Sequence, residues 1–504
     1  MASPTRSSPS QAPSPGLLGV LALAGLALAA FLTLRWGHLR PAADPLRILL
    51  VTERPADVAS LSFNQARSLA TLLEDELALT PGVAVTPANA LPEHPESARR
   101  AEPVLILRFK PVRQGDLLAV DLRWTWSRSG SLAPWESRRV EPQAPAAAFA
   151  AVLATLPLHL TRPAQEAYVP AGAGAFWELV ELMALRLDNQ RIPEAVDRAR
   201  RLAALEPRCA SAWLNLGNLL NRSLLDDPQA STRQEQSEAD AAYQRSLELA
   251  PGHPRALFRA AVFRASSGNH REALDLLLDA HTRRPGNPLL LLGIVNAARN
   301  AGLLDLALRA ADLHEQLTLP EFQPQSLQLL HLYREDFRRF EARLQGQPGQ
   351  LRYSIVLFYR GYLALLSGDP SRAREHFAAC EALEHGIPNY QRLSRVFRLA
   401  LEGDVDASTA VLDALDHERV GLRVSDGEFT LRMAEAAAYL GRPAHAMDLA
   451  ERAYTQGFGC THWYERSPLL SGLRGTPRFQ SLLQHLRERQ AMLEARFPPS
   501  RFGL

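Results

Sequence analysis

The sequence predicts a mainly α-helical protein. An array of helical hairpins is preceded by a small α+β domain and by one N-terminal transmembrane helix. Three observations lead to this fold class. Small residues and prolines recur with a period of about 34 residues in the second half of the chain. Before them lies a segment with apolar and polar residues alternating in runs of strand length. Near the N-terminus lies an uncharged apolar run long enough to cross a bilayer.

The composition narrows the class of protein further. Apolar residues make up 46% of the 504 residues, which excludes a disordered chain. The charges of the 56 basic and 54 acidic residues nearly cancel, so the chain has no large net positive charge that would attract nucleic acid. The three cysteines, Cys209, Cys380 and Cys460, are too far apart for a disulfide framework or a zinc knuckle.

The first element is an N-terminal anchor. Residues 1–15 are rich in Ser and Pro, which predicts a disordered tail. The apolar run Gly16–Leu34 would span about 28 Å as a helix, roughly the thickness of a bilayer core. A basic and aromatic segment, Arg35 to Arg40, follows it, so residues 16–38 are interpreted as a transmembrane helix. The alternatives are a signal peptide cleaved near Ala27-Leu28-Ala29 and a buried soluble helix.

Residues 45–160 predict the small α+β domain. Strands are expected at 46–51, 83–85, 104–112, 117–126 and 135–140, and helices at 62–77 and 145–156. The run Glu74-Asp75-Glu76 is expected on the solvated face of the first helix.

The segment VLILRFKPVRQGDLLAVDLRWTWSRSGSLAPWESRRV, residues 104–140, resembles the TolB amino-terminal-like domain of bacterial membrane-anchored regulators and sensors. Both have a strand, a basic-Gly-Asp turn, a long strand and a Trp-containing return strand. Arg108 departs from the pattern, since the family usually carries Gly near that point. Members of this family commonly lie between a membrane helix and a row of helical repeats, the order expected here.

Residues 172–490 contain the repeats. The pattern requires small residues at positions 8 and 20, where two helices cross closely, and Pro at position 32, where the second helix ends. In-phase matches are Ala195, Ala199, Pro207, Trp213, Leu216, Gly217, Leu220, Ala239, Tyr243, Pro251, Ala260, Ala273, Leu277, Pro285, Ala307, Leu357, Gly361, Ala373, Phe377, Ala434 and Ala446. This region resembles the tetratricopeptide repeat (TPR) proteins, which implies a solenoid of helix pairs. The segment LRGTPRF at 473–479 resembles the tail that ends many bacterial arrays and is expected to cap the solenoid.

The candidate functional surface is the concave groove of this solenoid, formed by positions 2, 5, 6 and 9 of each first helix. Asn and paired Arg there resemble half of the carboxylate clamp with which some TPR proteins hold a peptide C-terminus, and an extended peptide is expected to lie there. The unit before offers Val180 and Ala184 where the other half would lie, so the clamp is incomplete. The candidate peptide-binding residues are Leu214, Asn215, Asn218, Arg255, Phe258 and Arg259.

No GxGxxG follows a strand, and no Walker loop, HExxH or GxSxG occurs, so the chain is expected to be a non-enzyme without cofactor or metal. His376 and Cys380 lie four residues apart on a helix, and packing is preferred to a metal site. Cys460, His462 and Glu465 are expected in a solvated loop.

The sequence therefore predicts a membrane-anchored, non-catalytic scaffold that binds a protein or peptide, but no nucleic acid, in its groove. A sensory or regulatory protein that lacks its own output domain is the alternative. Basic residues after the helix favour a cytoplasmic location of the main part. The TolB-like resemblance implies a periplasmic location at a bacterial inner membrane instead, and the single-pass periplasmic arrangement is the one we expect.

Overall fold

The computed structural model describes residues 46–55, 61–80, 82–88, 104–128, 131–156, 168–185, 191–226, 232–318, 325–344, 353–384, 386–422 and 426–504. The unit that contains them, Leu46–Leu504, is compact as a whole. The predicted tail at 1–15 and the predicted transmembrane helix at 16–38 lie outside the described residues. Among the described helices, none combines the length and apolarity needed to cross a membrane.

Within the described residues, the N-terminal part is a sheet of six strands. These are β1 (Leu46–Thr52), β2 (Val83–Ala88), β3 (Val104–Gln114), β4 (Leu117–Arg128), β5 (Ser131–Leu132) and β6 (Glu136–Gln143). The order is β2-β1-β3-β4-β5, and β6 also pairs with β4. Strand β1 runs parallel to β2 and β3, whereas β4 is antiparallel to its neighbours. The strands predicted between residues 46 and 140 are confirmed, with longer bounds for most of them.

Two helices cover one face of this sheet, α1 (Phe63–Ala78) and α2 (Pro145–Thr155). Helix α1 begins with a capping box in which Ser62 Oγ accepts from Gln65 N and Gln65 Oε1 accepts from Ser62 N. The apolar face of β4, predicted from its alternation, lies in the core that these helices share with the sheet. We call the sheet with α1 and α2 the sheet module.

Eighteen further α-helices follow in the described residues. They are α3 (Ala173–Leu185), α4 (Ile192–Leu205), α5 (Ala210–Asp226), α6 (Arg233–Leu249), α7 (Pro254–Ser266), α8 (His270–Arg283), α9 (Pro288–Ala301), α10 (Leu304–Leu317), α11 (Gln325–Tyr333), α12 (Phe337–Arg343), α13 (Tyr353–Leu366), α14 (Pro370–Glu381), α15 (Pro388–Leu401), α16 (Val405–Arg419), α17 (Gly427–Tyr439), α18 (Pro443–Thr455), α19 (Thr461–Arg466) and α20 (Pro477–Arg496). Helices α3 to α18 form consecutive hairpins. The pair expected within 388–415 is α15 and α16.

The packing inside the hairpins shows why the repeat pattern requires small residues. A Cβ atom built on Gly217 would lie 2.9 Å from the ring of Tyr243, and one on Gly361 would lie 2.8 Å from the ring of Phe377. In each of these two repeats the glycine is at position 8 and the aromatic residue is at position 24. Glycine is therefore needed where an aromatic ring of the second helix contacts the first helix. The chain is thus mostly helical and has TPR-like hairpins, as predicted.

The C-terminal helix α20 leaves the last hairpin and returns to the middle of the array. Thr476 accepts a hydrogen bond from Phe479 N at its start, and the Phe479 side chain is buried. At its other end Arg496 forms an ion pair with Asp275 of α8 at 2.8 Å, and Phe497 joins the core of the first hairpins. Helix α20 therefore joins distant hairpins of the array.

Candidate binding surface

The six predicted groove residues lie on the first helices of two successive hairpins, α5 and α7. Leu214, Asn215 and Phe258 are buried. Asn218 is half-buried, and its Oδ1 accepts a hydrogen bond from Tyr243 Oη at 3.3 Å, so this amide takes part in the packing of its own hairpin. The surface that they form is covered rather than open to solvent.

Helix α1 of the sheet module covers Arg255. Arg255 Nη2 lies 2.7 Å from Glu74 Oε2, and its Nε donates to Asp75 Oδ1. The side chains are 14%, 12% and 3% exposed for Arg255, Glu74 and Asp75. The prediction that the Glu74-Asp75-Glu76 run lies on a solvated face was therefore wrong for Glu74 and Asp75. A helix that crosses between a sheet and a helical array is buried on two sides, whereas an amphipathic sequence pattern predicts one buried side.

Two aromatic side chains complete this contact. Tyr168 Oη donates to Asp75 Oδ2 at 3.1 Å, and the Tyr168 ring stacks on His253 with 4.1 Å between ring centroids. His253 also caps helix α7, since its Nδ1 accepts from Ala256 N at 3.5 Å. Burial lowers the pKa of His253 to about 3, so this imidazole is neutral and acts as a packing and capping group.

The electrostatics of the contact are those of a buried, charge-paired site. Burial raises the pKa of Glu74 and of Asp75, and the charge of Arg255 offsets part of that rise. For Arg255, burial lowers the pKa, but the charges of Asp75 and Glu74 outweigh burial and the net pKa is raised. The guanidinium of Arg259, a further groove residue of α7, lies 5.4 Å from the ring centroid of Phe258. This surface is therefore able to hold two adjacent carboxylates presented by a helix.

A second polar cluster lies at the groove positions of the last hairpin and was missed by sequence reasoning. Counted from Ala434 at position 8, positions 2, 6 and 9 of α17 are Glu428, Arg432 and Glu435. All three are buried. Charged residues at groove positions of α17 were the signal that could have indicated this cluster. Their partners are distant in sequence, since Arg299 lies 129 residues before Glu428.

Glu428 links this hairpin to the middle of the array. Arg299 of α9 donates from Nη1 and Nη2 to the two carboxylate oxygens of Glu428, at 3.0 Å each. Tyr333 Oη of α11 also donates to Glu428. Burial raises the pKa of Glu428, and Arg299 offsets part of that rise.

Arg432 and Glu435 form a pair with fully buried side chains. Glu435 accepts hydrogen bonds from Tyr362 Oη at 2.8 Å, Trp463 Nε1 at 2.9 Å and Ser467 Oγ at 2.6 Å. The Arg432 guanidinium lies 4.8 Å from the Tyr362 ring and 5.4 Å from the Trp463 ring, within cation–π range. The groove positions of α17 are thus covered by side chains of neighbouring segments of the chain.

The cysteines are packed inside the described part of the chain. Cys380 is buried, as predicted for a residue that faces the repeat interior, and its Sγ donates to Ser354 O at 3.2 Å. Cys460 is also buried, because α20 and the turn after α9 cover the segment. His462 and Glu465 lie on helix α19, so the prediction of a solvated loop for these three residues was wrong. Burial raises the pKa of these thiols to about 11 and about 12. Among the described residues, no three His, Cys, Asp or Glu side chains are grouped as metal ligands would be.

The described residues also line a cleft of about 390 Å³ between α20 and the turn that joins α9 to α10. Its charged residues pair with each other or with neighbours. Arg334 Nη1 lies 3.0 Å from Asp305 Oδ1, and His462 Nε2 lies 3.1 Å from Glu335 Oε1. The cleft therefore presents no convergent unpaired charge of one sign.

The fold and the concave surface define a helical-repeat protein with TPR-like hairpins. No family model matches the chain, and no curated protein matches it. Among solved structures, the crystal structure of the P58(IPK) TPR domain is similar, with 10% sequence identity and a TM-score of 0.19. The match covers 64% of this chain and 99% of that one. The TPR-like character of the hairpins follows from the glycine packing described above.

Proposed function

We propose that the chain is a non-catalytic scaffold that binds a protein or peptide partner on the concave surface of α5 and α7. One observation carries this proposal. Arg255, predicted to lie in the groove, holds two carboxylates of a helix that crosses the first helices of the array. A surface that binds one acidic helix has the shape and charge to bind another. Arrays of helical hairpins present such extended concave surfaces.

The proposal includes a membrane anchor at residues 16–38, in a bacterial inner membrane, with the following part in the periplasm. The apolar run Gly16–Leu34 and the TolB-like segment 104–140 support it. A single anchor of this kind raises the effective concentration of the scaffold for any partner in the same membrane. A reporter enzyme active only in the periplasm, fused after Leu504, tests the orientation. An active reporter is expected, and activity only with a cytoplasmic reporter would reject this arrangement.

Capture of a partner tests the binding function. The full chain is cross-linked in its native membrane and purified, and co-purified proteins are quantified for three forms. These are the unchanged chain, Arg255→Ala/Arg259→Ala and the control Arg271→Ala, which removes an exposed arginine of α8. A partner should be lost from the double variant and retained by the control.

Arg255→Ala also leaves Glu74 and Asp75 buried without their cation, so loss of capture needs a folding control. Arg259→Ala alone keeps the Arg255 ion pairs and should weaken capture without a change in the circular dichroism spectrum. Equal capture by all variants would reject binding at this surface.

A further inference from the structure

Helix α1 has two roles that the fold combines in one element. Its apolar residues, among them Leu69 and Leu73, pack in a core that the sheet module shares with the first hairpins of the array. Its acidic residues Glu74 and Asp75 bind Arg255 in the groove. The groove ligand seen in the structure is thus part of a module that precedes the array in sequence.

We propose that α1 is a displaceable internal ligand of the groove, and that a partner helix with two adjacent carboxylates binds there only after the sheet module has left. This inference rests on the proposed function and specifies both the partner and the regulation of that site. The chemistry of the partner follows from the present occupant: two carboxylates on successive residues of a helix, matched to one guanidinium.

The contacts between the sheet module and the array include several polar ones. The turn between β3 and β4 accepts a hydrogen bond at Asp116 O from Trp177 Nε1 of α3, at 3.1 Å. Arg113 lies 4.3 Å from the Trp177 ring centroid. Tyr168 adds its hydrogen bond to Asp75. Apolar side chains of α3, among them Phe176 and Leu179, belong to the same buried cluster as the sheet module. Undocking the module therefore exposes apolar surface as well as breaking these polar contacts, and the docking equilibrium depends on both.

The ion pairs at Arg255 provide the means to shift this equilibrium. With Glu74→Gln and Asp75→Asn, Arg255 keeps its charge but loses both anions while the module is docked. When the module leaves, water solvates the guanidinium, so the double change favours the undocked state. Adding Arg255→Met removes the buried charge and should restore docking.

The test uses a fluorescent peptide of residues 61–80, LSFNQARSLATLLEDELALT, and fluorescence anisotropy with the full chain. The E74Q/D75N chain should bind this peptide at least about tenfold more tightly than the unchanged chain, a typical coupling factor. The E74Q/D75N/R255M chain should bind as weakly as the unchanged chain. Asp279→Asn, an exposed acidic residue of α8, is the matched control and should change nothing.

Three results would overturn the inference. One is equal affinity of the E74Q/D75N chain and the unchanged chain for the peptide. Another is equal affinity of the E74Q/D75N chain for the unchanged peptide and for a peptide that carries the same two neutral substitutions. The third is loss of the native circular dichroism spectrum of the E74Q/D75N chain at the assay temperature, which would show that α1 is inseparable from the fold. Peptide exchange without any captured partner would reject the proposed function alone, whereas partner capture without peptide exchange would reject this inference alone.

Discussion

Glu428→Gln isolates the buried contact that joins α17 to α9. The substitution keeps the size of the side chain but removes the anion that faces Arg299, and both side chains are less than 10% exposed. Removing one partner of a buried ion pair costs about 3–5 kcal/mol, since the other charge stays buried without compensation. Replacing both partners by apolar side chains of similar size is often close to neutral.

Hydrogen exchange of α17, followed by mass spectrometry, measures this effect locally. If α17 exchanges by an opening that separates it from α9, a loss of 3–5 kcal/mol speeds exchange roughly a hundredfold to several thousandfold. The double variant Arg299→Met/Glu428→Leu should regain most of the protection. Unchanged exchange in Glu428→Gln, or no recovery in the double variant, would refute the claim that this pair holds the two hairpins together.

Two further predictions concern packing and pH. Gly361→Ala should lower the free energy of unfolding by about 1–3 kcal/mol in a urea titration, because the added Cβ meets the Phe377 ring at 2.8 Å; an unchanged midpoint would contradict the close helix crossing. His253 has a folded pKa of about 3 against 6.5 for the free side chain, so it contributes stability at neutral pH that is lost as pH falls from 6.5 towards 3. His253→Asn keeps a side chain that can cap the helix but does not titrate. Over that pH range, its free energy of unfolding should fall by up to about 1.4 kcal/mol less per pH unit than that of the unchanged chain. Parallel stability curves for His253→Asn and the unchanged chain would show that this imidazole is not held neutral.

The strands and the helical hairpins could be predicted from the sequence because the contacts that determine them join residues close together in the chain. Alternation in β3 and β4, and the small residues at positions such as Gly217 and Gly361, are enforced by neighbours close in sequence or within one hairpin. These features predicted the sheet and most of the hairpins correctly.

The contents of the groove could not be predicted in the same way. Whether Asp75 faces water or Arg255 depends on how the sheet module docks on α3 and α7, and Arg255 lies 180 residues after Asp75 in the chain. Likewise, Glu428 meets Arg299 only because the array curves back on itself. Repeat periodicity indicates which positions face the groove, but the curvature of the whole array decides what lies opposite them.

A double-mutant cycle between Arg255 and the carboxylates of the α1 peptide measures whether the groove recognises acidic helices. The four affinities are those of the acidic and the neutralised 61–80 peptides for the E74Q/D75N and E74Q/D75N/R255M chains. In each chain, competition from the chain's own α1 weakens the binding of both peptides by the same factor. This factor therefore cancels from the coupling energy. If the groove recognises acidic helices through Arg255, the coupling energy should exceed about 1.5 kcal/mol, as for close charge pairs at interfaces. A coupling energy within about 0.5 kcal/mol of zero would contradict recognition of acidic helices at this surface.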